Sequence, residues 1–421
     1  MSFAESLEKL ELSDRKREVL ELNHAHLMPN RVELWTGAGV PLVIGRREGY
    51  RIWDIDGTEL QDFHINGGTY NLGHRHPKMV EALVEAAASL DVGNHHFPSE
   101  ARGRLAERLA ALTPGDLHYS VFTPSGSEAN DIAIKSARHV TGRRKIVCLE
   151  AGFHGASGLS GAAGDDGNAI YFNSAYPDEF VKVPFGDLDA IEKSLAGRDV
   201  AAVLIEPIPA TFGFPIPDDD YLPGIRTLCD RFETLLIADE VQTGLGRTGR
   251  LWASEAYGIE PDILITGKGL GGGLYPVGAA VMTRRVGEWL GERGWGYVST
   301  FGGSEIGCVL ALRGLEISAS QETARNVAEM SSHLAAGLAD IRSRHPFLCD
   351  VRQKGLIAGL GFDDPNGGLT MCAALYRVGL WAMFAGFDRR YLQFKPGLLV
   401  DRGYLDEAFE KLETALGRVA G

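Results

Sequence analysis

Short, continuous apolar runs constrain the fold of this chain more than any other feature of its sequence. They are separated by segments with helical spacing and lie at Lys145–Leu149, Ala201–Ile205, Thr234–Ala238, Asp262–Thr266 and Gly278–Met282. Strands that are apolar without alternation are typical of a parallel sheet covered on both faces. The alternation of strands and helices therefore predicts an α/β fold, with a mainly parallel sheet between layers of helices.

The length of 421 residues predicts two domains, because a chain of this length is too long to fold around one small hydrophobic core. We predict a large domain over residues 64–310 and a smaller α+β domain over residues 311–421. An N-terminal segment, residues 1–63, would pack with the small domain and contain a hairpin at Tyr50–Asp62, turned by Asp-Gly. The expected C-terminal features are helices at Leu310–Ile317, Thr323–Ile341 and Leu405–Val419 and a glycine-rich stretch at Lys354–Gly361.

The overall composition is that of an acidic, soluble protein. With 42 basic and 56 acidic residues the net charge is −14, which argues against nucleic acid and anionic membranes as general partners. The five cysteines form no close pair and no metal-ligand spacing, which favours a reducing compartment and no metal site. No apolar run approaches the roughly 20 residues that span a bilayer, and no signal peptide is recognisable. We therefore predict a cytoplasmic protein.

Polar residues directly follow the apolar runs. They are Glu150, Glu206, Asp239 with Glu240, and Lys268. In open α/β sheets the ligand crevice lies beyond the carboxyl ends of the strands. We therefore expect these side chains to line one site.

Lys268 stands between two glycines just beyond a strand. If desolvated there, it would have a lowered pKa and could attack an aldehyde; otherwise it is a solvated loop lysine. Asp239 ends a buried strand, where a carboxylate needs a cationic partner. A pyridinium nitrogen would suit it, and the alternative is a carboxylate that caps a helix.

The segment Pro124–Asn130 has the form of an anion cradle that leads into a helix. Small residues expose backbone N–H groups there, which could bind an anion. A serine that only caps the helix, with a glutamate in the first turn, would have the same sequence. After another strand, Phe153 could stack on a flat ring, while the role of His154 stays open. Thr300 supplies a hydroxyl in a tight loop that alone indicates only a turn.

Taken together, the series of motifs resembles the class III aminotransferases of pyridoxal-phosphate fold type I, over most of the chain. The order of the motifs agrees, and DIDGTELQDF, NLGHRHP and VRQKGLIAG also fit this family. The motifs are SGSEAN (125–130), GFHG (152–155), EP (206–207), ADEVQTGLGRTG (238–249), PDILITGKGLGGGLYPVGA (261–279) and STFGG (299–303).

The resemblance implies roles around the cofactor, pyridoxal 5'-phosphate. Lys268 would form the Schiff base and then carry the proton between substrate and cofactor carbons. Asp239 would pair with the ring nitrogen, Gln242 would lie near the ring hydroxyl, and Phe153 would stack on the ring. Glu206 would support the region of Asp239.

The resemblance also implies a phosphate site and a second subunit. Gly126 and Ser127, next to Ser125, would bind the phosphate, and His154 would be a further cofactor contact. Thr300 would reach the phosphate of the neighbouring subunit. A homodimer with its active sites at the subunit interface is therefore expected.

Two departures from the family pattern concern the substrate. Many members that act on ordinary amino acids carry a Glu after the Glu-Pro, paired with an Arg near the C-terminus that holds a carboxylate. Thr211 and Gln393 stand at these places, and Lys395 lies near the second. Loss of both charges is coherent, because either one alone would be unpaired in a dry site. Ser304-Glu305 also replaces a common Asn-Pro.

We therefore expect an aminotransferase that uses an amino donor, with glutamate a candidate, and a ketone or aldehyde acceptor. One substrate would not be a standard amino acid but an amino sugar, a cyclic ketone or an amine. A racemase, epimerase, aminomutase or decarboxylase of the same family is the first alternative. A doubly wound domain that binds a nucleotide is the second alternative, disfavoured because no GxGxxG follows the first strand and no P-loop Gly-Lys-Ser/Thr is present. A non-catalytic ligand-binding α/β protein is the third.

Overall fold

The computed structural model of the protein describes residues 3–94 and 96–420. Its strands, in chain order, are β1 (Ile44–Glu48), β2 (Arg51–Asp54), β3 (Glu59–Asp62), β4 (Leu117–Thr123), β5 (Lys145–Leu149), β6 (Phe180–Val183), β7 (Val200–Ile205), β8 (Leu235–Asp239), β9 (Ile263–Thr266), β10 (Gly278–Thr283), β11 (Leu348–Lys354), β12 (Ile357–Phe362), β13 (Leu380–Trp381), β14 (Met383–Phe384) and β15 (Tyr391–Phe394).

The helices cover much of the remaining chain, and a short 3-10 turn spans Lys268–Gly271. They are α1 (Phe3–Glu8), α2 (Asp14–His26), α3 (Pro29–Gly37), α4 (Ile65–Gly68), α5 (Pro77–Ala87), α6 (Glu100–Leu112), α7 (Gly126–Thr141), α8 (Gly158–Ala163), α9 (Asp166–Tyr171), α10 (Leu188–Leu195), α11 (Tyr221–Phe232), α12 (Ala253–Ala256), α13 (Arg284–Gly287), α14 (Trp289–Glu292), α15 (Glu305–Ser318), α16 (Gln321–Arg344), α17 (Gly367–Tyr376) and α18 (Arg402–Ala420).

The central sheet has seven strands within the described residues, in the order β4-β10-β9-β8-β7-β5-β6. Strands β5 to β9 pair in parallel, while β10 runs antiparallel to both β4 and β9. The predicted mainly parallel sheet is confirmed, and the five apolar runs correspond to β5, β7, β8, β9 and β10. The reversed direction of β10 could not be seen, because an apolar run carries no direction.

Helices cover this sheet on both faces. Ile146 and Cys148 of β5 join a core with residues of α7, whereas Val147 and Leu149 join a second core with residues of α10 and α11. Since successive side chains of a strand point to opposite faces, each face needs its own apolar partner. Burial on both faces is therefore the reason that the strands are apolar without alternation.

Two smaller sheets are formed by strands from the N-terminal and C-terminal parts of the chain. One has the order β1-β2-β3-β13 and the other β11-β12-β15-β14. The predicted hairpin is present, since β2 and β3 pair antiparallel and Gly57 between them has φ +93°. Strand β13 pairs in parallel with β3 and so joins the N-terminal segment to the C-terminal part. Residue 310 lies inside α15, and the division into domains at residues 63 and 310 stays a prediction.

The three C-terminal helices are present and begin earlier than predicted. Ser304 and Ser320 each accept a hydrogen bond from an N–H in the first turn of α15 and α16. The predicted helices were defined by the spacing of apolar residues alone. A polar first turn after a capping serine shows no such spacing, so the predicted α15 and α16 started too late. The Ser304-Glu305 pair thus acts as an N-cap with an acidic first turn, which the helix dipole favours.

The described residues show neither a membrane-spanning helix nor a metal-binding cluster. Among residues 3–94 and 96–420 no helix is both long and apolar enough to cross a membrane. No group of three or more His, Cys, Asp or Glu in the same ranges could hold a metal ion.

Candidate active site

A cavity opens at the carboxyl ends of β7, β8 and β9, against the first turns of α7. Of the polar residues that follow the strands, Glu206, Asp239 and Lys268 reach this cavity, whereas Glu150 is exposed and Glu240 points elsewhere. The complete lining is Gly126, Ser127, Asn130, Phe153, His154, Gly155, Glu206, Asp239, Val241, Gln242 and Lys268.

Asp239 is held in a single orientation by three hydrogen bonds. His154 Nδ1 lies 2.8 Å and Asn130 Nδ2 2.9 Å from its Oδ2, and the N–H of Val241 donates to Oδ1 at 3.1 Å. The carboxylate is 3% exposed. Because a buried carboxylate is stable only with donors or a cation nearby, this one is prepared for a cationic group inside the cavity.

The adjacent carboxylate, Glu240, has a structural role. It accepts hydrogen bonds from the N–H groups of Ala253 and Ser254 at 3.0 and 2.7 Å and from the hydroxyl of Thr243 at 2.5 Å. These bonds satisfy orphan N–H groups at the start of α12. Of the two neighbouring acids, one caps a helix and only Asp239 faces the cavity.

Glu206 fastens the aromatic segment to the sheet. Its Oε1 accepts a hydrogen bond from the N–H of Phe153 at 2.9 Å. Burial raises the pKa of Glu206 to about 7, and the charge of Asp239 adds to this, while His154 and Lys268 oppose it. Burial therefore favours the protonated form of this carboxyl group compared with a solvated glutamate.

The raised pKa predicts a pH-dependent stability. A carboxyl group that titrates at 4.5 when unfolded and at about 7 when folded stabilises the fold fully below pH 4.5, and this stabilisation is lost as the pH rises through about 7. At 1.36 kcal/mol per pH unit the loss is about 3 kcal/mol. Urea unfolding of cofactor-free wild type and Glu206→Gln across this range should show their difference changing by this amount. A difference that does not vary with pH would contradict the assignment.

Lys268 enters the cavity from a constrained backbone. It lies two residues after the end of β9 and has φ +44°, a left-handed conformation that is uncommon for residues with a Cβ. Burial lowers its pKa, against the opposing charges of Asp239 and Glu206. Its Nζ has no hydrogen-bond or ion-pair partner within the described ranges. A lysine with these properties is more nucleophilic than a solvated one.

The first turn of α7 provides an anion site. The hydroxyl of Ser125 caps the helix by accepting from the N–H of Glu128 at 3.2 Å. Gly126 and Ser127 begin the helix, and N–H groups at this position have no acceptor within their own helix. The predicted cap is therefore present, and the predicted anion cradle would use the free N–H groups of the same turn. The site could therefore hold a phosphate.

Ser127 also binds the loop that carries Gly155. Its Oγ lies 2.7 Å from Ser157 Oγ and 2.8 Å from Ser160 Oγ. Gly155 has φ +131°, and a Cβ added there would lie 2.1 Å from Ser127 Oγ. Only glycine therefore fits this position without a shift of the loop.

We expect Gly155→Ala to weaken cofactor binding by about 10- to 100-fold, since strain and displacement of this kind cost roughly 1–3 kcal/mol. Gly142→Ala is the matched control: Gly142 also has positive φ, but a Cβ there meets nothing within 4 Å. Titration of the cofactor-free protein with pyridoxal phosphate measures the effect. Equal affinities of the two variants would show that the contact with Ser127 does not matter.

The lining fits a flat, anionic heteroaromatic cofactor. Phe153 keeps 41% of its surface exposed although it lines the cavity, so its ring is free to stack on a ligand. Thr300, in contrast, is exposed and lies outside the lining of this cavity. The single chain thus brings together all predicted cofactor residues except Thr300 and the capping Ser125.

Two of the three predicted substrate residues, Lys395 and Gln393, are connected to the lining residue Gln242 by hydrogen bonds. Lys395 Nζ is 3.4 Å from Gln242 Oε1 and 2.7 Å from Gln393 Oε1. Thr211 is partly buried, and its hydroxyl oxygen is buried without a hydrogen-bond partner within the described residues. Gln393 Nε2 donates to the carbonyl of Phe384 at 3.3 Å.

Three lining residues were not assigned a role from the sequence. Asn130 ends the SGSEAN motif, one helical turn after Gly126, and this spacing could have indicated that both face the same site. Val241 is two residues after Asp239, and no local signal separates it from ordinary loop residues. Gly155 could have been found only from its φ, which the sequence does not give.

Comparisons with known proteins show the family of the chain. The sequence profile of the family described as Aminotransferase class-III matches residues 36–416. An uncharacterized aminotransferase of Archaeoglobus fulgidus is 43% identical over 95% of this chain and 94% of that protein. An acetylornithine aminotransferase of Neisseria meningitidis is 35% identical over 91% of this chain and 96% of that protein.

A solved structure extends the agreement to the fold. A transaminase from the marine bacterium Virgibacillus superposes with a TM-score of 0.89 at 25% identity, over 96% of this chain and 99% of the other. The expected fold type I architecture is thus confirmed. The chain belongs to the class III aminotransferases, which are enzymes that depend on pyridoxal phosphate.

Proposed function

We propose that the protein moves an amino group between an amino-acid donor, with glutamate the candidate, and a ketone or aldehyde that is not the oxo form of a standard amino acid. An amino sugar, a cyclic ketone or an amine would be the corresponding partner. The proposal depends on two uncharged residues, Thr211 and Gln393, at the places where the family resemblance implies a carboxylate and a guanidinium in many members.

The roles that we propose for the lining residues follow from their chemistry. When bound, pyridoxal phosphate supplies an aldehyde that condenses with amines and a ring that accepts electrons. Lys268 would hold that aldehyde and afterwards move the proton at the reacting carbon. Asp239, fixed by His154 and Asn130, would keep the ring nitrogen protonated.

Further residues would orient the cofactor. The first turn of α7 at Gly126 and Ser127 would bind its phosphate. Phe153, fastened by Glu206, would stack on its ring, and Gln242 would lie at the ring hydroxyl. This division of roles uses every charged residue that lines the cavity.

The absence of a guanidinium clamp supports the choice of substrate. A bidentate Arg–carboxylate pair would fix a standard amino acid at two oxygens, and neither an amide nor a hydroxyl can replace it. The buried hydroxyl of Thr211 has no hydrogen-bond partner among the described residues, which suits a substrate that carries hydroxyl or carbonyl groups. A polyol or cyclic carbonyl compound meets this requirement.

A screen of amino donors and carbonyl acceptors, read by mass spectrometry, tests the proposal. We expect conversion with amino sugars, cyclic ketones or amines to exceed that with ornithine, acetylornithine and 4-aminobutyrate. Strict use of those three substrates would overturn the choice of substrate. Retention of the aldehyde form of the cofactor with deuterium exchange into the donor would instead indicate a racemase.

We further propose a cytoplasmic homodimer in which Thr300 serves the neighbouring subunit. The exposed position of Thr300, away from the cavity of its own chain, supports this proposal. Sedimentation of the purified holoenzyme measures the assembly. A fully active monomer would contradict it.

A further inference from the structure

Lys395 carries a buried amine that forms no ion pair within the described residues. It follows β15 and is 1% exposed. Within the described ranges no carboxylate lies at ion-pair distance from its amine, whose neighbours are the amide oxygens of Gln393 at 2.7 Å and Gln242 at 3.4 Å. An ammonium group has three N–H donors. Two of them are accounted for by these amides when the amine is protonated, and the third has no hydrogen-bond acceptor within the described ranges, where the ring centroid of Phe214 lies 5.5 Å from the amine.

The surroundings of Lys395 carry an excess of positive charge. Burial lowers the pKa of Lys395 well below its usual value, and the charges of Arg247 and Lys268 add to the effect. Asp62 opposes it, but that carboxylate already binds His74 Nε2 at 2.8 Å and the N–H of Ile65 at 2.7 Å. Arg247 donates to two backbone carbonyls and brings no counterion. The region would therefore attract an anion.

Gln242 connects this region to the reacting lysine. It lines the active-site cavity together with Lys268, and its Oε1 accepts from Lys395. A Cβ built on Gly67 would lie 3.2 Å from Lys268 Cε and 3.5 Å from Gln242 Oε1, so the two side chains are neighbours. A substrate attached at Lys268 could thus extend to Lys395 past Gln242.

We propose that Lys395 is the anion anchor of the substrate subsite and binds one carboxylate oxygen of the amino-acid partner through its remaining N–H. This inference rests on the proposed function, in which one of the two substrates is an amino acid. One hydrogen bond to one oxygen distinguishes this anchor from a guanidinium clamp, which holds two. The subsite would therefore bind the carboxylate of the amino-acid substrate and would also accept a carbonyl substrate that has no carboxylate.

Binding of an unreactive dicarboxylate tests the anchor without turnover. The holoenzyme is titrated with glutarate, and with neutral glutaramide for comparison, while the visible absorption of the cofactor is followed. Loss of a charge-assisted hydrogen bond should weaken glutarate binding by about 10- to 100-fold in Lys395→Met. Glutaramide should be affected much less. Lys78→Met, which removes an exposed lysine, should bind glutarate as the wild type does.

A second variant preserves the test where Lys395→Met does not yield folded holoenzyme. Gln393→Glu adds a carboxylate beside Lys395, and this internal anion should compete with glutarate and weaken its binding by at least about 10-fold. The uncharged Gln393→Met should retain glutarate binding better than Gln393→Glu does. Equal glutarate affinities in wild type and in either charge variant would overturn the inference. Failure of every amino donor to discharge the cofactor would instead refute the proposed function, since the titration needs no turnover.

Discussion

Replacing Lys268 by alanine is expected to lower kcat by about 10⁴-fold or more, because in the proposed function this one side chain is both the nucleophile and the proton carrier. The same change should leave the fold intact. The amine has no partner within the described part of the chain, so alanine removes no bond there, and we expect unfolding free energies within about 1 kcal/mol of each other. Steady-state kinetics and urea unfolding measure the two effects.

Borohydride reduction identifies the attachment site independently of turnover. Reduced wild type should retain the cofactor on the peptide that contains Lys268 after digestion, whereas the alanine variant should lose it on denaturation. Lys78→Met serves as the matched control, since it removes an exposed lysine and should keep both the activity and the attached cofactor. Intact turnover of Lys268→Ala, or a wild type that takes up no cofactor, would refute the assignment.

The five strands that were predicted could be found because an apolar run is a property of the local sequence. Lys145–Leu149 is apolar on both faces and coincides with β5. Strand β4 was missed because its outward residues, such as Tyr119, remain partly exposed and interrupt the apolar run. Strand β6 has only four residues, and the order of the strands depends on pairings between distant segments. Neither the reversed β10 nor the pairing of β3 with β13 leaves a mark in the local sequence.

Active-site residues could be predicted where a charged residue stands at a position that is normally apolar or buried. A lysine between glycines and an acid at the end of a buried strand are costly unless they have a function, and both reach the cavity. The role of His154 was left open because an imidazole gives no sign of its partner. Its bond to Asp239 joins residues 85 positions apart. The network around Asp239 is thus a product of the tertiary fold.

That network leads to the second large effect, on Asp239→Asn, for which we expect a fall in kcat of about 10²- to 10³-fold. An amide carries no charge, so it cannot hold a ring nitrogen in its protonated form. In the wild type, His154 Nδ1 lies 2.8 Å and Asn130 Nδ2 2.9 Å from Asp239 Oδ2. An NH₂ group in place of Oδ2 would present a second donor to the amide of Asn130, so this hydrogen bond would be lost. Cofactor affinity should fall as well, and the variant should be assayed at saturating pyridoxal phosphate.

Glu240→Gln is the control for this variant, because it neutralises the adjacent buried acid without touching the cavity. It weakens the cap on α12, so the unfolding free energy should fall by about 1–2 kcal/mol while kcat per folded holoenzyme stays near that of the wild type. The opposite responses separate a charge that acts on the reaction from one that acts on the fold. If both variants lost activity in proportion to stability, Asp239 would be a structural carboxylate, and the proposed electrostatic role of this strand end would have to be abandoned.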